Sequence, residues 1–141
     1  MGKVVTRIRL TNHTDLDNLE AGRIPAAAVR SVELDALVDT GATELAIPRE
    51  AAVRLGLRHA GTRRARLADG TLAQFERVSG IVLEILGRDT TCDALVLPEG
   101  AIALLGQVPL ESLDLVVDPR SREVSVNPAS PDVPLVDLMA V

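Results

Sequence analysis

Apolar and polar residues alternate along Val4–Leu10, with Val4, Thr6, Ile8 and Leu10 on one side and Val5, Arg7 and Arg9 on the other. The alternation returns along Val29–Val38, where Val32, Leu34, Ala36 and Val38 are set against Glu33 and Asp35. This period marks a strand buried on one face and wet on the other. It is incompatible with a helical bundle, whose apolar stripe needs a helical spacing. Punctuation agrees: Asp69-Gly70, Gly87, Pro98-Glu99-Gly100 and Asp118-Pro119 divide the chain into short runs. Hydrophobic residues supply 47% of 141, enough for one core, yet Phe75 is the single aromatic. That core must be packed from Val, Leu, Ile and Ala, which favours strands.

The remaining elements follow from local signals. Thr14 is placed to cap a short helical turn over Asp15–Ala21 ended by Gly22, with an irregular loop as an equal alternative. Glu44–Ile47 reads as a short strand, and Pro48 opens a helix over Arg49–Leu55 that Gly56 stops. Arg63–Leu67 and Leu72–Val78 flank Ala68-Asp69-Gly70-Thr71, a hairpin signal. Separate strands are expected over Gly80–Leu86, Cys92–Leu97, Ile102–Leu105, Leu115–Val117 and Glu123–Asn127, with a short helix over Pro109–Leu113. Residues 1–127 thus form one domain. Residues 128–141 form a tail whose prolines bar a central strand. Its apolar end, Leu135–Val141, is left to dock on its own subunit, dock on a partner, or fray.

Charge and rare residues exclude several chemistries. The net charge is −5, and Arg63-Arg64-Ala65-Arg66 is the densest basic cluster. Without interleaved aromatics on an acidic chain, it predicts a solvated strand end rather than a nucleic-acid contact; contact with an acidic peptide stays open. Cys92, the only cysteine, sits among apolar neighbours and reads as a small packed side chain, not a nucleophile. His13 and His59 lie too far apart for ligand spacing, so neither a metal nor a cofactor is expected. The start becomes charged at Lys3, and no apolar run is long enough to span a bilayer. These features predict a soluble, intracellular, cytoplasmic chain without a leader.

Chemistry concentrates in Ala36-Leu37-Val38-Asp39-Thr40-Gly41-Ala42-Thr43. An aspartate ends an apolar strand and enters a Thr-Gly turn, which suits a carboxylate held rigidly to activate water. Alone, Asp-Thr-Gly is a common turn sequence. It is joined downstream by Leu67-Ala68-Asp69-Gly70-Thr71, by Cys92–Pro98, by Leu104-Leu105-Gly106 with Pro109-Leu110-Glu111, and by Leu115–Pro119. In this order, over roughly residues 29–128, these stretches resemble the retropepsin-type aspartic proteases, the single-domain relatives of pepsin, and their prokaryotic branch most.

The resemblance implies an all-β acid protease fold with one or two short helices, acting as a homodimer. It implies that Asp39 is the catalytic aspartate, that Thr40 bonds across the dimer axis, and that Gly41 and Ala42 complete the active-site turn. Ala68, Asp69, Gly70 and Thr71 become the flap over a peptide or protein substrate, and Leu104, Leu105 and Gly106 the support beneath the turn. Glu123–Asn127 matches the strand that joins the dimer sheet in retroviral relatives. Neither Asp69, in a polar hairpin, nor Asp118, before a proline, repeats the Asp39 pattern, so a second copy is the simpler source of a second aspartate. Ala42 lacks the hydroxyl that pepsin-like enzymes often place there, which predicts an optimum less acidic than pepsin's. The competing reading is a non-catalytic dimeric module that keeps the fold and binds extended peptide.

Overall fold

A computed structural model of the chain describes residues 3–139. Met1, Gly2, Ala140 and Val141, the outermost residues of the charged start and the apolar tail, lie outside the described residues.

β1 (Val5–Asn12) and β2 (Ser31–Val38) pair antiparallel from Val5↔Leu37 to Thr11↔Ser31. Ile8, Leu10, Val32 and Ala36 are buried, whereas Arg7, Arg9, Glu33 and Asp35 are exposed. The alternation is therefore realised as one-face burial. Between the strands lies α1 (His13–Glu20). Its cap is Asn12 rather than Thr14: the Asn12 side-chain oxygen accepts from the Asp15 amide at 3.0 Å. Thr11 and Asn12 extend β1 against Val82 and Ile81, so the helix starts where the strand ends. Asn12 also donates to the Leu55 carbonyl at 2.8 Å, so this buried side chain is satisfied at both ends.

β3 (Leu45–Pro48) leads into α2 (Arg49–Leu55), which Gly56 closes in the left-handed region at φ 61°. β4 (Arg58–Arg66) and β5 (Leu72–Ile85) form the expected hairpin. The separate strand expected over Gly80–Leu86 is the second half of β5. Pairing shifts between Val78 and Ile81, with Gly80 at φ 89°, and β4 shifts beside it between His59 and Thr62, with Gly61 at φ 110°. These bulges bend the ribbon without ending it, so one strand serves both barrel and hairpin. β6 (Arg88–Leu97), β7 (Ala103–Leu105), α3 (Gln107–Ser112), β8 (Leu115–Asp118) and β9 (Glu123–Val126) complete the order.

The sheet runs β1-β2-β7-β3-β6-β5-β4, and β1 also pairs with β5. Six strands thereby close into a barrel, leaving β4 as the outer strand of the hairpin. β7 runs parallel to β2 and β3 runs parallel to β6. The fold is all-β and retropepsin-like. Its core is the barrel interior, where Ile8, Leu10, Leu45, Ile47, Ile81 and Leu105 are fully buried. No aromatic joins that cluster among the described residues, as the composition requires.

β8 and β9 make a separate two-stranded sheet. Beside it, the buried Arg88 guanidinium donates to the Leu113 and Asp114 carbonyls at 3.0 Å and to the Ser130 carbonyl. The Asp114 carboxylate accepts from the Ser130 hydroxyl, from the Asn127 amide at 3.0 Å and from the Leu135 backbone N–H at 2.9 Å. The described tail has no strand or helix beyond Val126, yet it is tethered to Asp114 at two points. From the second tether onward, the side chains of Leu135, Val136, Leu138 and Met139 are exposed. No helix among the described residues is long and apolar enough to cross a membrane.

Candidate active site

β2 delivers Asp39 at its end. Two backbone bonds hold the delivery in place: Val38 N–H to the Val4 carbonyl at 2.8 Å, and Asp39 N–H to the Leu105 carbonyl at 3.0 Å. The chain then reverses, with the Ala42 N–H bonded to the Asp39 carbonyl at 3.0 Å. Inside this turn the Gly41 N–H donates to Asp39 Oδ1 at 3.0 Å, fixing the carboxylate. A Cβ on Gly41 would lie 3.3 Å from that oxygen, so glycine permits the close approach. Asp39 is half-buried and Thr40 exposed, so the turn opens outward.

Leu104-Leu105-Gly106 passes beneath. β7 inserts between β2 and β3, pairing Leu104 with Leu37 on one side and with Ala46 on the other. Leu104 reaches the cleft, and Leu105 is fully buried. A Cβ on Gly106 would meet the Glu44 carbonyl oxygen at 2.4 Å and the Glu44 nitrogen at 2.7 Å. Only glycine lets the two backbones touch there. The Gln107 and Val108 N–H groups then bond the Ala42 and Thr43 carbonyls at 2.9 and 3.0 Å, stapling the start of α3 to the turn.

Above the turn lies a cleft of about 810 Å³. Its floor is Asp39, Gly41, Ala42, Thr43 and Glu44. Its apolar side is Ala46, Leu95, Leu97 and Leu104, and its hairpin side is Arg63–Ala68 with Phe75. Of the predicted flap, Ala68 borders the cleft, whereas Asp69, Gly70 and Thr71 build the tip. Asp69 Oδ1 accepts from the Thr71 hydroxyl at 2.6 Å and the Thr71 N–H at 2.9 Å. Those bonds, the hydroxyl foremost, hold the Asp69 carboxyl below its ordinary range. The Asp118 carboxylate likewise accepts the Arg120 N–H in its own turn at 2.9 Å. Both alternative aspartates are thus engaged locally.

Sequence reading missed Glu44, Phe75, Leu95 and Leu97 as cleft residues. Leu95 and Leu97 lay within a quoted motif, and Phe75 lies opposite Arg63 in the hairpin register. The arginine cluster is a solvated strand end as expected, with Arg63, Arg64 and Arg66 all exposed, but Arg63 also pairs with Glu44 of the cleft floor at 2.8 Å. A strand's own sequence does not reveal which wall it will form. Cys92 is half-buried, and burial, then the charges of Asp93 and Glu44, push its thiol up to about 12. It stays protonated near neutrality and offers no nucleophile. No group of three candidate metal ligands occurs among the described residues.

A closed strand barrel, a strand-borne Asp-Thr-Gly turn, a crossing apolar-Gly strand beneath and a hairpin above together define the aspartic protease class. The family model described as "gag-polyprotein putative aspartyl protease" matches residues 25–112, more than half of the chain. The chain belongs to this retropepsin-like aspartyl protease family. The match takes in the turn, the hairpin and β7, and ends within α3. No curated protein matches the chain.

Proposed function

We propose that this chain is an aspartic endopeptidase whose active site forms when two copies bring their Asp39 turns together across a twofold axis. One observation carries the reading: a carboxylate fixed at the floor of a peptide-sized cleft, on a turn with no counterpart among the described residues. Asp39 is then the catalytic group, and Thr40, exposed beside it, is free to brace the opposite turn. Gly41 and Ala42 complete that turn. Leu104, Leu105 and Gly106 hold it at fixed height, and Ala68, Asp69, Gly70 and Thr71 close over an extended substrate. Residues 1–127 form the protease domain and 128–141 an appended tail.

The mechanism follows from charge. Two carboxylates about 3 Å apart do not both ionise, so they share one proton. The ionised member takes a proton from a bound water as its oxygen attacks the scissile carbonyl carbon. The protonated member gives its proton to the carbonyl oxygen, yielding a neutral tetrahedral diol. Proton transfer to the amide nitrogen and cleavage of the C–N bond then release an amine and a carboxylic acid. The proton belongs to the pair, so the pH–rate profile is bell-shaped and reports two macroscopic constants. The apolar side of the cleft favours Val, Leu or similar side chains at the scissile bond.

The test joins solution mass to cleavage. Asp39→Asn should abolish cleavage of an unbiased peptide mixture while leaving the dimer intact, and a statine-type transition-state mimic should inhibit the wild type. Full activity in Asp39→Asn, or in a verified monomer, overturns the assignment.

A further inference from the structure

We propose that Arg63 is a positioning residue: its ion pair with Glu44 straps the hairpin to the floor that carries Asp39 and limits how far the cleft opens to a peptide; this rests on the peptidase reading above. Alternation along β4 turns Arg63 and Ala65 to one face of the hairpin and Arg64 and Arg66 to the other. Phe75, opposite Arg63 in the register, borders the cleft, and the Arg63 guanidinium reaches Glu44 Oε1 at 2.8 Å. Arg63 therefore stands on the cleft face. Among the described residues, this is the one ion pair between the cleft floor and the hairpin.

The two ends of the strap differ in stiffness. Glu44 belongs to the fixed body: its backbone is the one a Cβ on Gly106 would strike, and the Thr43 carbonyl before it accepts the Val108 N–H at 3.0 Å. Arg63 belongs to the ribbon that bends at the bulges beside Gly61 and Gly80. It lies one rung beyond Thr62↔Glu76, where the Glu76 carboxylate takes His59 at 2.7 Å and Arg49 of α2 at 3.2 Å. Glu44 and Arg49 flank β3, so both ends of this short strand hold the root of the hairpin. The tip at Asp69 lies about 20 Å farther along β4, so a small rotation at the strap becomes a larger opening at the tip. The Arg63 side chain is 49% exposed and that of Glu44 27%, which makes the strap weak and salt-sensitive. That suits a contact that yields when peptide enters.

The chain has no Trp, so Phe75→Trp in the Asp39→Asn protein supplies a single fluorophore on the cleft face, read by acrylamide quenching. Exposed ion pairs shift an equilibrium by about two- to fivefold, so adding either Arg63→Gln or Glu44→Gln should raise the quenching constant by up to that factor. Glu44→Gln weighs most, because it leaves the Phe75 rung untouched. Combining Glu44→Arg with Arg63→Glu should restore the original quenching. Salt at about 0.5 M should raise quenching in the parent but not in the Glu44→Gln variant. In cleavage, with Asp39 and Phe75 intact, both glutamine variants should raise KM by up to the same factor and change kcat less. Quenching unchanged in Glu44→Gln, or not restored by the exchanged pair, overturns the inference. So does a KM rise without a quenching change, which would mean direct contact with substrate. Unchanged quenching beside wild-type cleavage sinks only this inference, whereas strap-dependent quenching in a chain that never cleaves sinks only the peptidase reading.

Discussion

Gly106 and Asp114 each do something their neighbours in sequence do not announce. The backbone of Gly106 lies so close to Glu44 that a single methyl group would sit 2.4 Å from a carbonyl oxygen. Backbone on both sides leaves no flexible side chain to yield. Gly106→Ala should therefore cost about 1–3 kcal/mol of stability, read from urea midpoints, and should depress cleavage further by lifting the Asp39 turn. A variant as stable as the wild type would count against this close contact. Asp114 matters for a different reason. The Ser130 hydroxyl, then the Asn127 amide and the Leu135 N–H, hold its carboxyl at about 2 against an ordinary 3.8. A carboxyl depressed in the folded state adds stability above its unfolded value and loses it as pH falls through the folded one. Between about pH 4 and pH 2 the wild type should lose stability more steeply than Asp114→Asn, because protonation frees the tail tethers. Urea midpoints measured across that window check it. The other depressed carboxyls, Asp15, Asp69 and Glu76, contribute to both proteins alike.

The hairpin ribbon forms one wall of the cleft. β5 runs unbroken from the hairpin tip into the barrel, and its bend rests on a glycine at φ 89° with open space around it. Gly80→Ala meets no clash, so its cost is conformational, about 1 kcal/mol or somewhat more, as a shift in thermal or urea midpoint. An unchanged midpoint would show that the ribbon can bend without a left-handed residue there. Gly80 also explains where sequence reading failed at this scale. A glycine between two alternating runs reads equally well as a turn or as a bulge, and only pairing with β6 across both halves decides. By contrast, Pro48 and Gly56 bounded α2 correctly because capping is local: the signals lie within the helix they delimit. The shift of the α1 cap from Thr14 to Asn12 has the same logic in reverse. Asn12 was committed by pairing of β1 with β5, remote in sequence.

At the scale of the whole molecule, the single Asp39 turn makes assembly and chemistry one question. If each active site draws one aspartate from each copy, mixing wild type with Asp39→Asn should lower activity as the square of the wild-type fraction, to about a quarter in an equal mixture after exchange. A linear fall, to about half, would indicate a site complete within one chain. Specific activity should also drop on dilution as dimers dissociate. β8 and β9 pair only with each other, and Leu115, Val117, Val124 and Val126 pack them against the core. They and the tail lie beyond the stretch that matches the family model.

By itself the sequence determined the strand-rich class, the delivery of Asp39 by an apolar strand, the hairpin at Asp69-Gly70 and the family resemblance that residues 25–112 bear out. Each of these is written in period, turn chemistry or motif order, which act over a few residues. Tertiary structure alone decided that β1 closes the barrel on β5, that β7 threads between β2 and β3, and that Arg63 meets Glu44 beside the cleft. Those outcomes depend on which distant strands pair. The free energy of pairing is set by the mutual fit of surfaces across the barrel, and no single segment carries that information.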